Sequence, residues 1–244
     1  MLATFYCRYK IAILDEIFPI SEFMSLDAIL DIQHVSCQRG FRTLFEDLNV
    51  SLYAGQLLRI CGENGAGKTT LIRVLSGLST DYEGHILYAG RSRKAFNEDM
   101  PWQISYLGHE KGVKANLSVI ENLQWYAALY PSYTNQPDKL QQVLSRLGLA
   151  AFAHVRACDL SAGQKQRLAL ARLMLSEAKL WILDEPFTAI DQSGIRVFEQ
   201  LIDEFLAAGG SVVMTAHHSL SLQSEIRELH LSRPQEYSPQ ESQS

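Results

Sequence analysis

Segments with a strand-like pattern alternate with segments of helical periodicity along most of the chain. A mostly apolar run at residues 57–60 predicts a short strand that ends in a glycine-rich turn. Apolar residues recur at i, i+3, i+4 and i+7 in the segment 71–78, which predicts a helix whose buried face extends to Leu78. Apolar runs at 180–183 and 212–215 predict two further strands, the first of them covered on both faces. This alternation is typical of an α/β domain built on a largely parallel sheet.

The middle of the chain has a mostly helical pattern. Residues 117–147 predict helices with a break at 131–137, where two prolines occur. A further helix is predicted at 162–176, because its apolar positions lie on one face with basic residues between them. The sequence contains no internal repeat, so each motif described below occurs once.

The two ends of the chain differ from the segment between them. The alternating pattern begins only after Met24, so we interpret residues 1–23 as an N-terminal extension that need not belong to the native protein. Residues 232–244 are polar and contain proline, which predicts a mobile tail. The pattern therefore predicts one domain at residues 24–231.

Composition narrows the classes of protein that fit. The 244 residues are 47% hydrophobic and 20% charged, as in ordinary globular proteins rather than disordered ones. The net charge of −5 disfavours generic nucleic-acid binding, which usually needs a basic excess. No apolar run approaches the roughly 18 residues of a membrane-spanning helix, so contact with a membrane would require partner subunits. The four cysteines show no C-x-x-C pair and no zinc-binding spacing, and we interpret them as small apolar side chains in a reducing compartment.

A phosphate-binding loop follows the first predicted strand. The run G-E-N-G-A-G-K-T at 62–69 matches the pattern G-x-x-x-x-G-K-[ST]. Its glycines allow successive backbone N–H groups to face one anion, and the next helix presents its N-terminus to the same phosphates. Lys68 would contact the β- and γ-phosphates and the Thr69 hydroxyl would bind Mg²⁺. The predicted ATP-binding residues are Gly62, Glu63, Asn64, Gly65, Ala66, Gly67, Lys68, Thr69 and Thr70. The loop leaves the reaction open, because kinases, GTPases and motor ATPases share it.

Two carboxylates follow the apolar run at 180–183. Asp184 stands at the end of the predicted strand, where it would hold Mg²⁺ through a water molecule. Glu185 would lie one residue nearer the γ-phosphate and could act as the general base on the attacking water. A solvated acidic pair that closes a strand is the alternative, and the phosphate loop makes it the weaker one.

A second candidate anion site precedes the helix predicted at 162–176. The run L-S-A-G-Q at 160–164 places Ser161 and Gly163 at the start of that helix. Taken alone, this run is only a helix N-cap. Together with the phosphate loop, it gives one chain two surfaces that could face phosphate.

These motifs, in this order, resemble those of the ATP-binding cassette (ABC) ATPases. The phosphate loop, L-S-A-G-Q, L-W-I-L-D-E-P, A-I-D at 189–191 and then His217 span roughly residues 26–231. The resemblance implies a P-loop α/β fold with a mixed, mainly parallel sheet lobe at about 24–98 and 177–231, and an inserted helical lobe at about 99–176. It further implies ATP and Mg²⁺ as cofactors, and two copies of the chain that sandwich ATP between the phosphate loop of one and the signature motif of the other. The implied roles are catalysis for Glu185, His217 and Lys68, contact with the partner's ATP for Ser161, Ala162, Gly163 and Gln164, and linkage between the sites for Asp191.

Two departures from the family pattern concern the edges of the site. Where the family usually has Gln in the loop that joins the lobes, this chain has His109, which could still hold a water. Haem ligation by His109 is a weaker alternative to this coupling role. Where an aromatic residue usually stacks on adenine, the chain has Arg39, so the base would stack on its guanidinium or on Phe41.

Within the family, the chain is most similar to the ATP-binding subunit of the cytochrome c maturation system, often called the haem exporter. The similarity lies in Gly108-His109, in Ala162 of the signature, and in the run L-W-I-L-D-E-P-F-T-A-I-D at 180–191. It implies integral membrane partner subunits, a peripheral position on the cytoplasmic face of the inner membrane, no nucleic-acid partner, and hydrolysis that powers haem export or release of a loaded periplasmic haem chaperone. An ABC transporter with a different substrate is the alternative. The residues leave open whether haem itself crosses the membrane and which membrane subunits take part.

Overall fold

The computed structural model describes residues 28–92, 104–108, 111–130, 137–216 and 220–232. The strands of these ranges, in chain order, are β1 (Leu30–Arg39), β2 (Arg42–Leu52), β3 (Leu57–Gly62), β4 (Glu83–Tyr88), β5 (Arg91–Ser92), β6 (Ile104–Leu107), β7 (Leu180–Asp184), β8 (Ser211–Thr215) and β9 (Ile226–Leu231). The α-helices are α1 (Lys68–Leu75), α2 (Val119–Ala127), α3 (Pro137–Arg146), α4 (Ala162–Met174) and α5 (Gln192–Ala207), with short 3₁₀ turns at Ala150–Phe152 and Ala157–Asp159.

The strands form two sheets. One has five parallel strands in the order β6-β7-β8-β3-β9, and the other has four antiparallel strands in the order β2-β1-β4-β5. Parallel neighbours bring the C-terminal ends of β3, β7 and β8 to one edge of the five-stranded sheet. The phosphate loop, Asp184 and the end of β8 therefore lie together at that edge. The predicted α/β architecture is confirmed, with the antiparallel strands forming a sheet of their own.

Two apolar cores cover the parallel sheet. One lies between the sheet and the helices α2 to α5, and it contains Trp181, which is fully buried and stacks on Phe205 at 3.9 Å between ring centroids. The other lies between the two sheets and α1, and it contains Ile60 and Ile182. The strand predicted at 180–183 is buried at every position because alternate side chains enter opposite cores.

Leu78 is a correction to the predicted helix face. Helix α1 ends at Leu75, and Leu78 is 54% exposed. Gly77 takes a left-handed φ of 70°, and the N–H of Leu78 donates to the carbonyl of Arg73 at 2.8 Å. This arrangement ends the helix and turns the chain away from the core, so that Leu78 does not join the buried face.

The predicted lobe boundary near residue 99 also needs correction. Strand β6 falls within the range assigned to the helical lobe, but it pairs with β7 in the parallel sheet. The helical part of the chain therefore begins after Leu107 in the described ranges. The predicted helix at 162–176 ends at Met174. Residues 1–23, most of the predicted break at 131–137, and the tail after residue 232 lie outside the described ranges.

The described segment that follows β6 is anchored by one buried amide. The side chain of Asn122 in α2 is fully buried. Its Nδ2 donates to the carbonyls of Lys114, Leu117 and Ser118 at 2.9–3.2 Å, and its Oδ1 accepts from the N–H of Lys114 at 2.8 Å. These bonds fix residues 114–118 against α2. None of the described helices has the length and apolar character needed to cross a lipid bilayer.

Candidate nucleotide-binding site

The phosphate loop connects β3 to α1, and two of its glycines occupy positions that exclude a side chain. Gly62 has φ 145°, and a Cβ there would lie 2.6 Å from the carbonyl oxygen of Leu231. Gly67 has φ 96°, and a Cβ there would lie 3.2 Å from Cβ of Leu44. Only glycine fits this backbone path without strain. The loop can therefore turn its N–H groups inward, as anion binding requires.

Lys68 is held over the loop. Its Nζ donates to the carbonyl oxygens of Gly62 at 2.7 Å and Glu63 at 3.0 Å. Lys68 is also the first residue of α1, so the ammonium group and the helix N-terminus stand at the same end of the loop. Both features attract a phosphate group.

A cleft of about 380 Å³ opens over this loop. It is lined by residues from the phosphate loop, the β1–β2 hairpin and the end of β7: Arg39, Arg42, Leu44, Asn64, Gly65, Gly67, Lys68, Thr69, Thr70 and Glu185. The structure thus brings Glu185 to the same cleft as Lys68 and Thr69, although more than 110 residues separate them in the chain.

Asp184 is fixed by two hydroxyl groups behind the cleft. The residue is 8% exposed. Its Oδ1 accepts a hydrogen bond from Oγ1 of Thr215 at 2.8 Å and lies 3.5 Å from Oγ1 of Thr69. An oxygen cluster of this kind suits Mg²⁺, which prefers carboxylate, hydroxyl and water oxygens. Thr215 is not among the site residues predicted from the sequence, where its only signal is a polar residue at the end of an apolar strand.

Glu185, the next residue, has a left-handed backbone conformation, which residues other than glycine rarely adopt. Its φ is 49°, and its N–H donates to Oγ1 of Thr215 at 2.9 Å. A left-handed residue at the end of a strand turns the chain sharply, and such conformations occur often at functional sites. Thr215 therefore bonds both the carboxylate of Asp184, predicted to hold Mg²⁺, and the backbone of Glu185, predicted to activate water.

The signature run begins α4 with a complete capping box. Oγ of Ser161 accepts from the N–H of Gln164 at 3.2 Å, and Oε1 of Gln164 accepts from the N–H of Ser161 at 2.8 Å. Ser161 and Ala162 are exposed. In the part of the chain that the structure describes, the signature residues do not line the phosphate-loop cleft.

The signature helix is joined to the segment that follows Glu185. Nε2 of Gln166, which is buried, donates to the carbonyl of Pro186 at 2.7 Å. Arg167 forms an ion pair with Asp191. A Cβ on Gly163 would lie 2.9 Å from the carbonyl oxygen of Ala189. Helix α4 and residues 186–191 therefore form one packed unit, a link that sequence reasoning did not find.

Asp191 caps α5 as well as pairing with Arg167. Its side chain accepts from the N–H of Gly194 at 3.2 Å. Hydrogen bonds from Ser193 and Arg167 lower the pKa of Asp191 from its ordinary 3.8 to about 2. Because the pKa is lowered on folding, the stabilising contribution is present above pH ~4 and is lost as the pH falls through about 2. The ion pair is thus constant across the neutral range.

The structure distinguishes the two candidates for stacking on the base. Arg39 lines the cleft, whereas Phe41 at the hairpin tip is fully exposed and does not line it. Nη2 of Arg42 reaches the carbonyl of Gly65 at 3.5 Å and joins the hairpin to the loop. Of the two candidates, Arg39 is therefore the better placed. His109 and His217 lie outside the described ranges.

Comparison with known proteins gives consistent matches over most of the chain. The family model for ABC transporters matches residues 45–188. A cytochrome c biogenesis ATP-binding export protein, CcmA, of Methylococcus capsulatus is 45% identical over 206 residues, covering 84% of this chain and 99% of the relative. The protein of the same name in Aliivibrio fischeri is 44% identical over 204 residues, covering 83% and 99%. Among solved structures, an ABC transporter ATP-binding protein from Pyrococcus furiosus matches with a TM-score of 0.70 at 25% identity, covering 83% of this chain and 96% of that one.

Proposed function

The chain belongs to the ABC transporter family, and from this membership we propose that it is the ATP-hydrolysing subunit of a membrane complex in cytochrome c biogenesis. The observation that carries the ATP-hydrolysing role is the cleft that joins Lys68, Thr69 and Glu185, with Asp184 directly behind it. Members of this family bind and hydrolyse ATP. The site has the groups that this reaction uses: the ammonium of Lys68, the hydroxyl of Thr69 and the carboxylates of Asp184 and Glu185.

In the proposed reaction, each residue at the cleft has a separate task. Lys68 and the loop N–H groups bind the β- and γ-phosphates and offset the charge that develops on them. Glu185 orients a water and accepts its proton as the water attacks the γ-phosphorus, while the bond from that phosphorus to the β–γ bridging oxygen breaks and ADP leaves. Asp184 and Thr69 would hold Mg²⁺, Asp184 through a water. Bound Mg²⁺ supplies charge neutralisation on the phosphate oxygens. His217 would contact the γ-phosphate, and His109 would hold a water at the junction of the lobes.

We further propose that two copies of the chain complete the site. Ser161 and Ala162 are exposed at the N-terminus of α4, but they do not line the cleft of their own chain. A nucleotide on a second copy would meet these groups and the N-terminus of a 13-residue helix. Asp191 lies in the segment packed beneath that helix, so it can relay a change from one site to the other.

The proposed membrane partners and biological process are inferred from similarity to the relatives and not from the geometry of the site. The matched relatives are named as cytochrome c biogenesis ATP-binding export proteins. By this similarity, residues 24–231 would dock on integral membrane subunits at the cytoplasmic face of the inner membrane, and hydrolysis would power haem export or release of a haem-loaded chaperone. A transporter of another substrate remains the competing function.

Purification from membranes tests this proposal. The full-length chain would carry an affinity tag in a bacterium that makes c-type cytochromes and lacks its own related subunit. We expect integral membrane proteins to copurify with the chain, the complex to show haem absorption, and c-type cytochromes to return on haem-stained gels. The exposed variant Glu46→Gln, which lies outside the cleft, should behave as the unmodified chain does.

Two outcomes would contradict the proposal. Membrane partners that copurify without any recovery of c-type cytochromes would favour a transporter of another substrate. The absence of any integral membrane partner, with the chain folded and binding ATP, would exclude the membrane complex itself.

A further inference from the structure

A cysteine, a glutamate and a histidine meet at the edge of the parallel sheet, one residue before the phosphate loop. Cys61 lies on β3, and Glu228 and His230 lie on the edge strand β9. One ligand atom from each, the thiol sulfur, a carboxylate oxygen and an imidazole nitrogen, lies within 4.8 Å of the other two. Within the described ranges, this is the one group of this composition that is close enough to hold a metal ion.

The strand register holds these side chains together. Cys61 is paired with His230, and the preceding residue on the same face, Arg59, is paired with Glu228. Residues two apart on a strand point to the same face of a sheet, and parallel neighbours in register point to it together. The three side chains therefore converge because of backbone geometry rather than the reach of long, flexible chains.

Arg59 holds the carboxylate in a fixed orientation. Its guanidinium pairs with Oε1 of Glu228, and Oε2 of the same carboxylate lies 2.9 Å from Nε2 of His230. One oxygen is thus held by Arg59 while the other faces the histidine, an arrangement that commonly orients metal ligands.

From this arrangement, we propose that Cys61, Glu228 and His230 form a three-ligand site for a borderline divalent transition-metal ion, for which Zn²⁺ is the best match. Thiolate, imidazole and carboxylate are the ligands Zn²⁺ prefers, whereas Mg²⁺ and Ca²⁺ prefer oxygen alone. Tetrahedral Zn²⁺ with ordinary bond lengths requires ligand atoms about 3.4–3.6 Å apart, so binding would move the three atoms, now within 4.8 Å of one another, by side-chain rotation. The side chains of His230 and Glu228 are 69% and 35% exposed, so solvent can supply a fourth ligand.

The site is distinct from the Mg²⁺ position at Asp184 and has a structural consequence. A metal bound here would join the edge strand β9 to β3 immediately before Gly62. Because a preformed site exists only in the folded chain, binding should stabilise the fold, and it should release the thiol proton of Cys61. The spacing of these residues matches no zinc motif in the sequence, so only the fold reveals the site.

Cobalt titration of the full-length chain without nucleotide tests the proposal. We expect one Co²⁺ to bind per chain with thiolate-to-cobalt charge-transfer absorption, and Zn²⁺ to displace it. The variant Cys61→Ser should lose this absorption, and His230→Ala should bind at least about 10-fold more weakly. The exposed cysteine Cys158 provides the matched control, since Cys158→Ser should bind as the unmodified chain does.

Thermal unfolding provides an independent readout. Zn²⁺ should raise the melting temperature of the unmodified chain and of Cys158→Ser, but not that of Cys61→Ser. Circular dichroism would verify that each variant is folded. If Cys61→Ser did not fold, Glu228→Gln and His230→Ala would replace it in both measurements. Charge-transfer absorption that persists in Cys61→Ser, absorption that is lost in Cys158→Ser, or no saturable Co²⁺ binding by the unmodified chain would each overturn the proposal.

Discussion

Replacing Glu185 with Gln is expected to lower the rate of ATP hydrolysis by about 10²–10⁴-fold while ATP remains bound. Gln has the shape of Glu but cannot accept the proton of the attacking water. The left-handed backbone of Glu185 and its N–H bond to Thr215 do not depend on the carboxylate, so the turn should survive the change. The loss should therefore fall on the chemical step, and the variant should accumulate as an ATP-bound dimer.

Steady-state phosphate release, equilibrium ATP binding and gel filtration with ATP would measure the three parts of this result. Glu46→Gln makes the same chemical change at an exposed position on β2 and should leave all three unaltered. Near-normal turnover by Glu185→Gln would show that Glu185 is not the general base. Weakened ATP binding together with slow hydrolysis would instead indicate that Glu185 acts in binding.

Lys68→Ala should abolish most ATPase activity by a different route, through weaker phosphate binding. Hydrogen bonds to charged groups contribute about 1.5–3 kcal/mol, which corresponds to roughly 10–150-fold in affinity. The ammonium also bonds the carbonyls of Gly62 and Glu63, so its loss should loosen the loop. Fluorescent ATP analogues would measure the affinity directly.

Lys139→Ala, on α3 and away from the cleft, is the matched control for loss of one ammonium group. It should bind ATP as the unmodified chain does. The two variants should thus differ in which step they impair, since Lys68→Ala binds ATP weakly and Glu185→Gln binds ATP but hydrolyses it slowly. Tight ATP binding by Lys68→Ala would contradict the role given to the ammonium group.

The parts of this fold that the sequence predicts are those set by local pattern. The strand is apolar at the consecutive positions 180–183 because both faces of the sheet are covered, and this pattern is visible without knowing the partners. The phosphate loop is equally visible, because its glycines at 62 and 67 are required by positive φ and by close neighbours, which are backbone at Gly62 and side chains at Gly67. Lys68 and Glu185 then meet at one cleft because they follow β3 and β7, two parallel strands of one sheet that only β8 separates.

The parts that escaped prediction depend on contacts distant in the chain. Thr215 bonds Asp184 and Glu185 across two adjacent strands, yet in sequence it is one polar residue after an apolar run. The apparent helical spacing that includes Leu78 fails because Gly77 closes the helix one turn earlier. The ion pair between Arg167 and Asp191 joins α4 to the N-cap of α5, and nothing in the local pattern of either segment indicates it.

Two predicted residues, His109 and His217, stay predictions. Both lie outside the described ranges, so their side chains enter the account only through the resemblance in sequence. The roles given to Ser161 and Gly163 also depend on a second copy of the chain. The capping box of Ser161 and Gln164 explains why α4 begins at this point.

The most direct test of the account is ATPase activity in a mixture of two inactive variants, because its central claim is that two copies share each site. Lys68→Ala retains its signature motif, and Ser161→Arg retains its phosphate loop. In a mixed dimer, one site would combine the intact loop of one copy with the intact signature of the other. We predict that an equal mixture recovers up to about a quarter of the unmodified activity, since half the dimers are mixed and each has one complete site. Activity in the mixture that does not exceed the average of the two separate variants would contradict the shared site.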